Sequence, residues 1–471
     1  MNRSRANIGT RREYVSAHRS IDRRWFWGQV VLAIMLAVLP ASHVFCQSNS
    51  EAAGSEVSTL GPQERNAIID TVIALVQKYY IQTDQIAKIT GQLERNRDEG
   101  KYNDITDLDT FRKRLTDDLR SVSGDRHFGI WSIDQSLTLQ DESPEEEQKW
   151  TEQSRFRNFG FGRIERLPGN IGYLELSEFE QPELAGATAV AAMNYLGNCD
   201  ALILDLRRNT GGWGELGTLI CSYLFDDPVM LSSVYNRYTN ETDQSWTQPY
   251  VPGPRMSNIP VYVLQSHKTF SAAEFVSYSL QALGRATVVG EASGGGAHQV
   301  NDFNIPEMSI CVTIPIANDV NPVTGSNWEG VGVTPDIRVE CTQALPTACA
   351  DAVKKLMAKD TIQFDRKALG LAQATYNAEL NPTEVSEKEL QRLCGDYRYS
   401  ASYSYKVFRA GKTLYMASTG GCPYTLLPCG DNRFAIKERE GEVQFQSGEK
   451  GKITDFKVTY PDMELVYERV K

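Results

Sequence analysis

ALILDL, at Ala201–Leu206, is an almost unbroken apolar run of strand length that leads into RRNTGG at Arg207–Gly212. Comparable runs are IGYLEL at Ile171–Leu176, VYVL at Val261–Leu264 and ATVVG at Ala286–Gly290. Helical patterns separate these runs, near residues 183–197, 214–225 and 271–283. Continuous apolar strands between amphipathic helices are typical of a buried sheet in an α/β fold. We therefore predict an α/β core over residues 170–340.

The chain on either side of this core has different patterns. Helical spacing of apolar residues predicts a small helical domain at 63–128, and an acidic, polar connector follows at 129–169. Beyond the core, helical patterns predict a bridge at 341–394. Short alternating segments with glycine-containing turns then predict an all-β module at 395–471, either a small sandwich or an open barrel. Several domains are expected, because one hydrophobic core rarely organises 471 residues.

Residues 1–46 have the pattern of a signal peptide. An arginine-rich stretch from Arg3 to Arg24 precedes the apolar Val30–Leu39, and Val44–Cys46 is an acceptable cleavage site. Cleavage and export, to the periplasm or the extracellular medium, is the first interpretation. An uncleaved N-terminal anchor is the second, because the apolar run is close to the shortest that spans a bilayer. Residues 47–62 form a Ser/Glu/Gly-rich linker in either case.

Composition limits the classes of function. The chain has 49 Lys+Arg against 60 Asp+Glu, a formal net charge of -11, which argues against a nucleic-acid partner. Of nine cysteines, all but Cys46 lie beyond the signal segment. Their even number permits disulfides in an oxidising compartment, and buried free thiols are an equal alternative. No C-x-x-C spacing indicates zinc, and we expect no metal or organic cofactor.

TFSAAE, at Thr269–Glu274, places Ser271 between an apolar strand and a helical pattern. A serine at the start of a helix presents both its hydroxyl and the helix N-terminus to a ligand, which suits acyl transfer. Ser271 with Glu274 three residues later also fits an ordinary capping box. The two interpretations are compatible, so Ser271 is the candidate nucleophile.

A serine nucleophile needs a base, and beyond the signal segment the histidines are His127, His267 and His298. His127 follows Asp125 and Arg126 at a predicted helix-to-strand junction, from which a ring can project into a cleft. A satisfied loop histidine is the alternative. We take His127 as the candidate base.

Two glycine-rich turns and one acidic residue complete the candidate site. Gly211 and Gly212 either direct successive N–H groups at an oxyanion or form a simple turn. Glu291–His298 (EASGGGAH) lacks the Gly-Lys-Ser/Thr ending of a nucleotide loop, so we exclude an NTPase. Glu329, in a glycine-rich loop, either orients the base or is simply solvated.

Together these segments resemble peptidase family S41, which includes the C-terminal processing (tail-specific) proteases, the tricorn core protease, the interphotoreceptor retinoid-binding protein repeats and the nisin-resistance peptidases. The matching stretches occur in the family's order, at Leu204–Gly212, Thr269–Glu274, Gly290–Gly296 and Gly330–Asp336. The resemblance covers about residues 64–340 and implies a crotonase/ClpP-like core of β-β-α layers. The C-terminal module lies outside it and loosely resembles lipocalin-like modules.

The chain departs from the family's Ser–Lys members. Ser293–Gly296 (SGGG) contains no lysine, although the processing proteases carry their catalytic lysine in this loop. The departure points to the Ser–His branch, which resembles tricorn and the retinoid-binding repeats. Arg126 stands where tricorn-like members have a small hydroxyl residue. The interval between Ile130 and Asn170 is too short for the PDZ domain that many members contain.

The resemblance implies a role for each candidate residue. Ser271 is the nucleophile, His127 is the general base, and Glu329 orients the base. The oxyanion donors are the backbone N–H groups of Gly211, Gly212 and Ala272.

Three functions follow from these assignments. The first is an exported serine peptidase that acts on a peptide or protein substrate through an acyl-enzyme. The second is a non-catalytic carrier of apolar ligands, as the retinoid-binding repeats are, and the third is an adhesion or scaffold protein. Retention of nucleophile and base together favours the peptidase, since a carrier needs neither.

Overall fold

The computed structural model describes residues 60–133, 144–359 and 363–470. The predicted signal peptide and all but the end of the linker therefore lie outside the described residues. None of the described helices is both long enough and apolar enough to cross a membrane.

The described elements follow one another along the chain in three groups. The first is α1 (Pro62–Tyr79), α2 (Ile86–Asp98), α3 (Leu108–Ser123), β1 (Gly129–Ser132) and α4 (Pro144–Phe156). The second is β2 (Phe161–Leu167), β3 (Ile171–Leu176), α5 (Pro182–Leu196), β4 (Ala201–Asp205), α6 (Gly214–Ser222), β5 (Met230–Asn236), β6 (Glu241–Trp246), β7 (Val261–Gln265), α7 (Ala272–Ala282), β8 (Thr287–Gly290), β9 (His298–Ile305), β10 (Ile310–Val320) and β11 (Ile337–Arg338).

The third group is α8 (Ala344–Met357), α9 (Gln363–Leu380), α10 (Glu387–Leu393), β12 (Gly395–Ser400), β13 (Tyr403–Ala410), β14 (Thr413–Ser418), β15 (Tyr424–Gly430), β16 (Arg433–Ile436), β17 (Glu442–Ser447), β18 (Ile453–Thr459) and β19 (Glu464–Arg469). The helices α8 and α9 coincide closely with the predicted bridge.

A six-stranded sheet forms the centre of the α/β core, in the order β11-β8-β7-β4-β3-β2. All neighbours in it are parallel except β2, which is an antiparallel edge strand beside β3. Alternate residues of each strand face opposite sides: Leu202 and Leu204 pack with α5, α6 and α7, and Ile203 packs with α8 and α9. Both faces are thus covered, which explains the continuous apolar runs and confirms the predicted α/β core.

A second sheet, in the order β1-β10-β5-β6 with β9 also on β10, was not apparent from the sequence. Helices α1, α2 and α3 pack on it, and their apolar residues form one cluster with those of β1, β5 and β10. The helices of 63–128 therefore share their core with strands from distant parts of the chain. The stretch predicted as a connector contains β1, α4 and β2.

The C-terminal strands β12 to β19 form a closed barrel. The first strand of the module begins at Gly395. Both predicted forms, a sandwich and an open barrel, are wrong, because β12 pairs with β19 and closes the sheet. Tyr397, Phe434, Phe445 and Phe456 are buried and fill the interior. The barrel is therefore a packed core.

Seven cysteines in the described part of the chain are free thiols: Cys199, Cys221, Cys341, Cys349, Cys394, Cys422 and Cys429. Cys221 is fully buried, and burial raises the pKa of its thiol to about 12. Such a thiol is inert at neutral pH. The structure therefore corresponds to the free-thiol alternative.

Candidate active site

Ser271 lies in the turn between β7 and α7, immediately before the first residue of the helix. Its backbone has φ 53° and ψ -123°, a region that residues with a side chain rarely adopt. Its N–H donates to Glu274 Oε2 at 3.0 Å, whereas its side chain makes no capping hydrogen bond. Glu274 therefore has its predicted place in the capping box of α7.

Glu274 holds the glycine-rich loop against the start of α7. Besides Ser271 N–H, it accepts hydrogen bonds from Ser293 Oγ (2.5 Å), Gly295 N–H (2.7 Å) and Gly296 N–H (2.8 Å). Its side chain is fully buried, and burial raises the pKa of its carboxyl group although these hydrogen bonds lower it. The glycine-rich segment within Glu291–His298 is thus wrapped around the Glu274 carboxylate.

The Gly211–Gly212 turn lies against the nucleophile. The two residues have φ values of +110° and +118°, which favour glycine. A Cβ added at Gly211 would lie 2.7 Å from Ser271 Cβ and 3.2 Å from the Ala272 nitrogen. The Gly211 N–H donates to Asn209 Oδ1 at 2.8 Å, so this predicted oxyanion donor is already engaged. Ala272 begins α7, and its N–H has no acceptor within the helix.

His127 enters the same cleft from the other sheet. Gly124 ends α3 in the left-handed conformation, and the chain then turns into β1, which pairs with β10. The His127 ring packs on Phe270 with the ring centroids 4.6 Å apart. Because Phe270 directly precedes Ser271, the predicted base packs on the residue next to the predicted nucleophile.

Asp125 and Arg126 support the base in different ways. Asp125 Oδ1 accepts the His127 N–H at 2.9 Å and lies 3.7 Å from His127 Nδ1. Arg126 donates to the Gly294 carbonyl at 2.7 Å, and its guanidinium lies over the Phe270 ring at 5.0 Å. Arg126 therefore clamps the α3–β1 loop onto the glycine-rich loop.

Glu329, the carboxylate predicted to orient the base, contacts the start of β9. Its Oε2 accepts hydrogen bonds from the N–H groups of Ala297 (2.6 Å) and His298 (3.2 Å). This oxygen also lies 3.5 Å from His298 Nδ1. The carboxylate that bonds the His127 backbone is Asp125, a contact that the sequence analysis did not assign.

His298 is the second residue that the sequence analysis missed. Its Nδ1 lies 2.7 Å from Asp125 Oδ2, and both side chains are buried. Burial would raise the pKa of Asp125, but the hydrogen bond and charge of His298 lower it. Burial and the charge of Asp125 raise the pKa of Glu329 to about 7. The only sequence signals were the position of Asp125 two residues before the base and of His298 just after three glycines.

The same three side chains are the candidates for holding a cation. The ligand atoms of Asp125, His298 and Glu329 lie within 4.8 Å of one another, and the described residues contain no second group of this kind. The oxygens already accept N–H donors, and the 2.7 Å contact between His298 and Asp125 is a direct hydrogen bond. The arrangement therefore fits a hydrogen-bonded network better than a metal centre.

Comparison with known proteins gives two matches to family models. Residues 170–339 match the model of peptidase family S41, and residues 57–156 match the N-terminal domain of Peptidase_S41 in eukaryotic IRBP. The first segment contains Ser271 and the second contains His127. Together the two matches cover more than half of the chain.

Similar curated proteins include the carboxyl-terminal-processing protease of Picosynechococcus sp., 28% identical over 174 residues, which are 35% of this chain and 38% of that protein. Carboxyl-terminal-processing peptidase 2, chloroplastic, of Arabidopsis thaliana is 28% identical over 183 residues, 37% of this chain and 34% of that protein. The chain thus spans between a third and two fifths of the length of these relatives.

Among solved structures, mature CPAF has a TM-score of 0.45 at 12% identity, over 66% of this chain and 98% of that one. The photosystem II D1 C-terminal processing protease has a TM-score of 0.39 at 15% identity, over 63% and 98%. One family model thus matches the segment that contains Ser271, and the other matches the segment that contains His127. The two matches together place the chain in peptidase family S41.

Proposed function

We propose that the protein is a serine peptidase that hydrolyses peptide bonds through an acyl-enzyme on Ser271, with His127 as general base. The observation that carries this proposal is the setting of Ser271. Its hydroxyl is free of the helix cap, its Cβ faces the Gly211 turn, and the preceding Phe270 packs on the His127 ring. The relatives' names, carboxyl-terminal-processing proteases, support the same class of reaction.

In the proposed reaction, His127 takes the Ser271 proton as the hydroxyl attacks the substrate carbonyl. The resulting oxyanion accepts hydrogen bonds from the backbone N–H groups of Gly212 and Ala272, supported by the N-terminal end of α7. His127 then gives its proton to the leaving amine. A water molecule, activated by the same histidine, hydrolyses the acyl-enzyme and restores Ser271.

Two carboxylates assist the base in this proposal. Asp125 fixes the loop of His127 through the 2.9 Å hydrogen bond to its backbone. Glu329 contributes negative charge nearby, which stabilises the imidazolium form of His127 in the transition state. We therefore retain Glu329 as part of the proposed machinery and add Asp125 to it.

The carrier alternative has less support. The apolar cavity between the central sheet and its helices, lined by Leu174, Phe179, Leu206 and Val276 among others, has a volume of about 10 Å³. That volume holds about one water molecule, whereas a drug-sized apolar ligand needs about 300 Å³ or more. The packed interior of the C-terminal barrel offers no better site in the described residues. A larger cavity, of about 660 Å³, lies beside His298, but charged side chains such as Asp84 and Arg237 line it, and they do not suit an apolar ligand.

The substrate and the compartment are also part of the proposal. We propose a peptide or protein substrate and an exported enzyme, on the basis of the arginine-rich and apolar segments within residues 1–46. N-terminal sequencing of the protein recovered outside the cytoplasm tests the export step. A mature chain that begins at Gln47 is expected, and an intact N-terminus on membrane-bound protein would support the anchor instead.

Hydrolysis of a mixed peptide library, with products read by mass spectrometry, tests the reaction. Ser271→Ala and His127→Ala are each expected to lower kcat by a factor of about 10³ or more. Ser121→Ala and His267→Ala are the matched controls, because both residues are exposed, and wild-type rates are expected. Unchanged hydrolysis in Ser271→Ala would contradict the proposal.

A further inference from the structure

His298 is a buried histidine that none of the reaction steps above uses. Its side chain is 1% exposed, and its Nδ1 lies 2.7 Å from Asp125 Oδ2 and 3.5 Å from Glu329 Oε2. It is the first residue of β9 and pairs with Asn318 on β10, so the sheet fixes its backbone. Two carboxylate oxygens close to one ring nitrogen favour the positively charged form of the ring.

The two carboxylates depend on this ring for a positive partner. Asp125 uses one oxygen for the His127 N–H and the other for His298. Glu329 Oε1 is buried and has no hydrogen-bond partner among the described residues, and Oε2 accepts two backbone N–H groups. No lysine or arginine of the described residues forms an ion pair with either carboxylate. The charge that can balance them is on a histidine.

We propose that His298 is a positioning residue of the catalytic site, which as an imidazolium pairs with Asp125 and Glu329 and favours the anionic form of both carboxylates beside His127. Without that charge, two buried carboxylates in contact with one network share a proton, because neighbouring like charges disfavour ionisation. The negative potential that stabilises the His127 imidazolium in the transition state then falls. The effect on rate rests on the proposed peptidase function, but the charge of His298 does not.

The direction of each pKa agrees with this arrangement. Burial lowers the pKa of His298. The hydrogen bond and charge of Asp125 and the charge of Glu329 together raise it by more than burial lowers it, so the net shift is upward. The charge of His298 lowers the pKa of Glu329, but burial and the charge of Asp125 raise it by more, and the net value is about 7. Loss of the His298 charge therefore lets Glu329 keep its proton to higher pH.

The surroundings of His298 contain further polar and charged groups. A cavity of about 660 Å³ borders the ring and is lined by one acidic and one basic side chain, those of Asp84 and Arg237. Arg237 is held by hydrogen bonds to the carbonyl groups of Tyr80 and Gln77. On the cavity side, Gln82 Nε2 lies 3.5 Å from His298 Nε2. The other groups that interact with His298 itself are Asp125, Glu329 and Asn318. Asp84, Tyr235 and Arg237 line the same cavity, and Tyr80 and His127 contact Asp125.

His298→Asn separates charge from hydrogen bonding, because the asparagine amide can donate to Asp125 from nearly the position of Nδ1 but carries no charge. The matched control is His267→Asn, since His267 is 73% exposed and contacts Glu291 at 3.0 Å on the surface. Circular dichroism confirms folding of both variants, and His298→Gln is the second substitution if His298→Asn does not fold. The measurements are kcat/KM between pH 5 and 9, and ring ¹⁵N shifts of wild-type histidines over the same range.

The proposal expects a cationic His298 ring at pH 7 in the wild-type spectrum. It expects the acidic limb of kcat/KM to move up by about one pH unit in His298→Asn, with rates that approach wild type at pH 9, and no movement in His267→Asn. A neutral His298 ring at pH 7, or a rate lowered by the same factor at every pH, would overturn it. If wild type neither hydrolyses peptides nor reacts at Ser271 with a fluorophosphonate, the proposed function fails, and the ¹⁵N titration still decides the charge of His298.

Discussion

Glu274 shows how much of this site depends on single residues. It is fully buried, and it accepts hydrogen bonds from Ser271, from Ser293 and from two glycines of the same loop. One carboxylate therefore fixes both the backbone of the nucleophile and the loop that packs on His127. The same residue was apparent in the sequence only as a capping partner.

Glu274→Gln is expected to destabilise the fold by about 2–4 kcal/mol, because an amide donor replaces one acceptor in a buried site surrounded by donors. Hydrolysis is expected to fall at least about tenfold, since Ser271 and the loop lose a common anchor. Urea unfolding and peptide hydrolysis measure the two effects. Glu307→Gln, at an exposed glutamate, is the control, and equal stability of the two variants would contradict the prediction.

Asp319→Asn is expected to change how stability depends on pH. Asp319 is 4% exposed, and burial raises the pKa of its carboxyl group to about 7. The unfolded chain releases this proton near pH 4 and the folded chain near pH 7, so unfolding free energy falls as pH rises through this window. The loss is at most about 4 kcal/mol, at about 1.4 kcal/mol per pH unit.

Urea unfolding at pH 4.5 and pH 8 measures this dependence. The neutral Asn variant is expected to lose less stability than wild type between the two values. Glu329, whose pKa is also raised to about 7, is present in both proteins. A residual fall in the stability of the variant is therefore expected. An identical fall in both proteins would show that Asp319 does not titrate in this window.

At the scale of elements, local patterns and distant contacts were predictable to different degrees. Four strands of the central sheet, β3, β4, β7 and β8, and the helix after Ser271 were predicted because each apolar run carries its own signal. The edge strands β2 and β11 were not predicted. β10 was missed because Pro315 interrupts its run and the register shifts beside it, and β9 is largely polar. Asp125, His298 and Glu329 could not be grouped from the sequence, since only the pairing of β9 with β10 and of β10 with β1 brings them together.

The turn between β4 and α6 gives a test at this scale. Gly211→Ala places a methyl group 2.7 Å from Ser271 Cβ, and hydrolysis is expected to fall by a factor of about 100 or more. Gly284→Ala is the matched control, because Gly284 also has a positive φ, +64°, but no atom lies within 4 Å of the added group. Both variants share a backbone cost of about 1 kcal/mol. Comparable hydrolysis in the two variants would contradict a role for the turn.

At the scale of the whole molecule, the barrel and the peptidase core have separate hydrophobic clusters. At their junction α9 packs against β15 and β16. Its polar contacts include Glu440, which accepts the Gly169 N–H at 2.9 Å, and Lys437, which pairs with Glu379 at 3.0 Å. None of the candidate catalytic residues is in the barrel. The barrel is therefore expected to be dispensable for the chemistry.

A chain that ends at Pro382 is expected to hydrolyse peptides within about threefold of the wild-type rate, with a lower melting temperature because the junction is exposed. The separate segment from residue 383 is expected to unfold cooperatively, since β12 to β19 close on themselves. Hydrolysis assays and thermal unfolding of both pieces measure this. Lost hydrolysis in a folded, truncated chain would place part of the substrate site on the barrel.

The pairing of β1 with β10 has a consequence for biosynthesis. The segment that carries His127 leaves the ribosome early, but the strand that fixes it is made after the nucleophile, and Glu329 is made later still. Under the proposed mechanism, a nascent chain holds Ser271 without a placed base until β10 has been made and has paired with β1. Proteolytic activity begins only when the early helices close on the completed sheet, so the order of translation itself delays activity until folding is nearly finished.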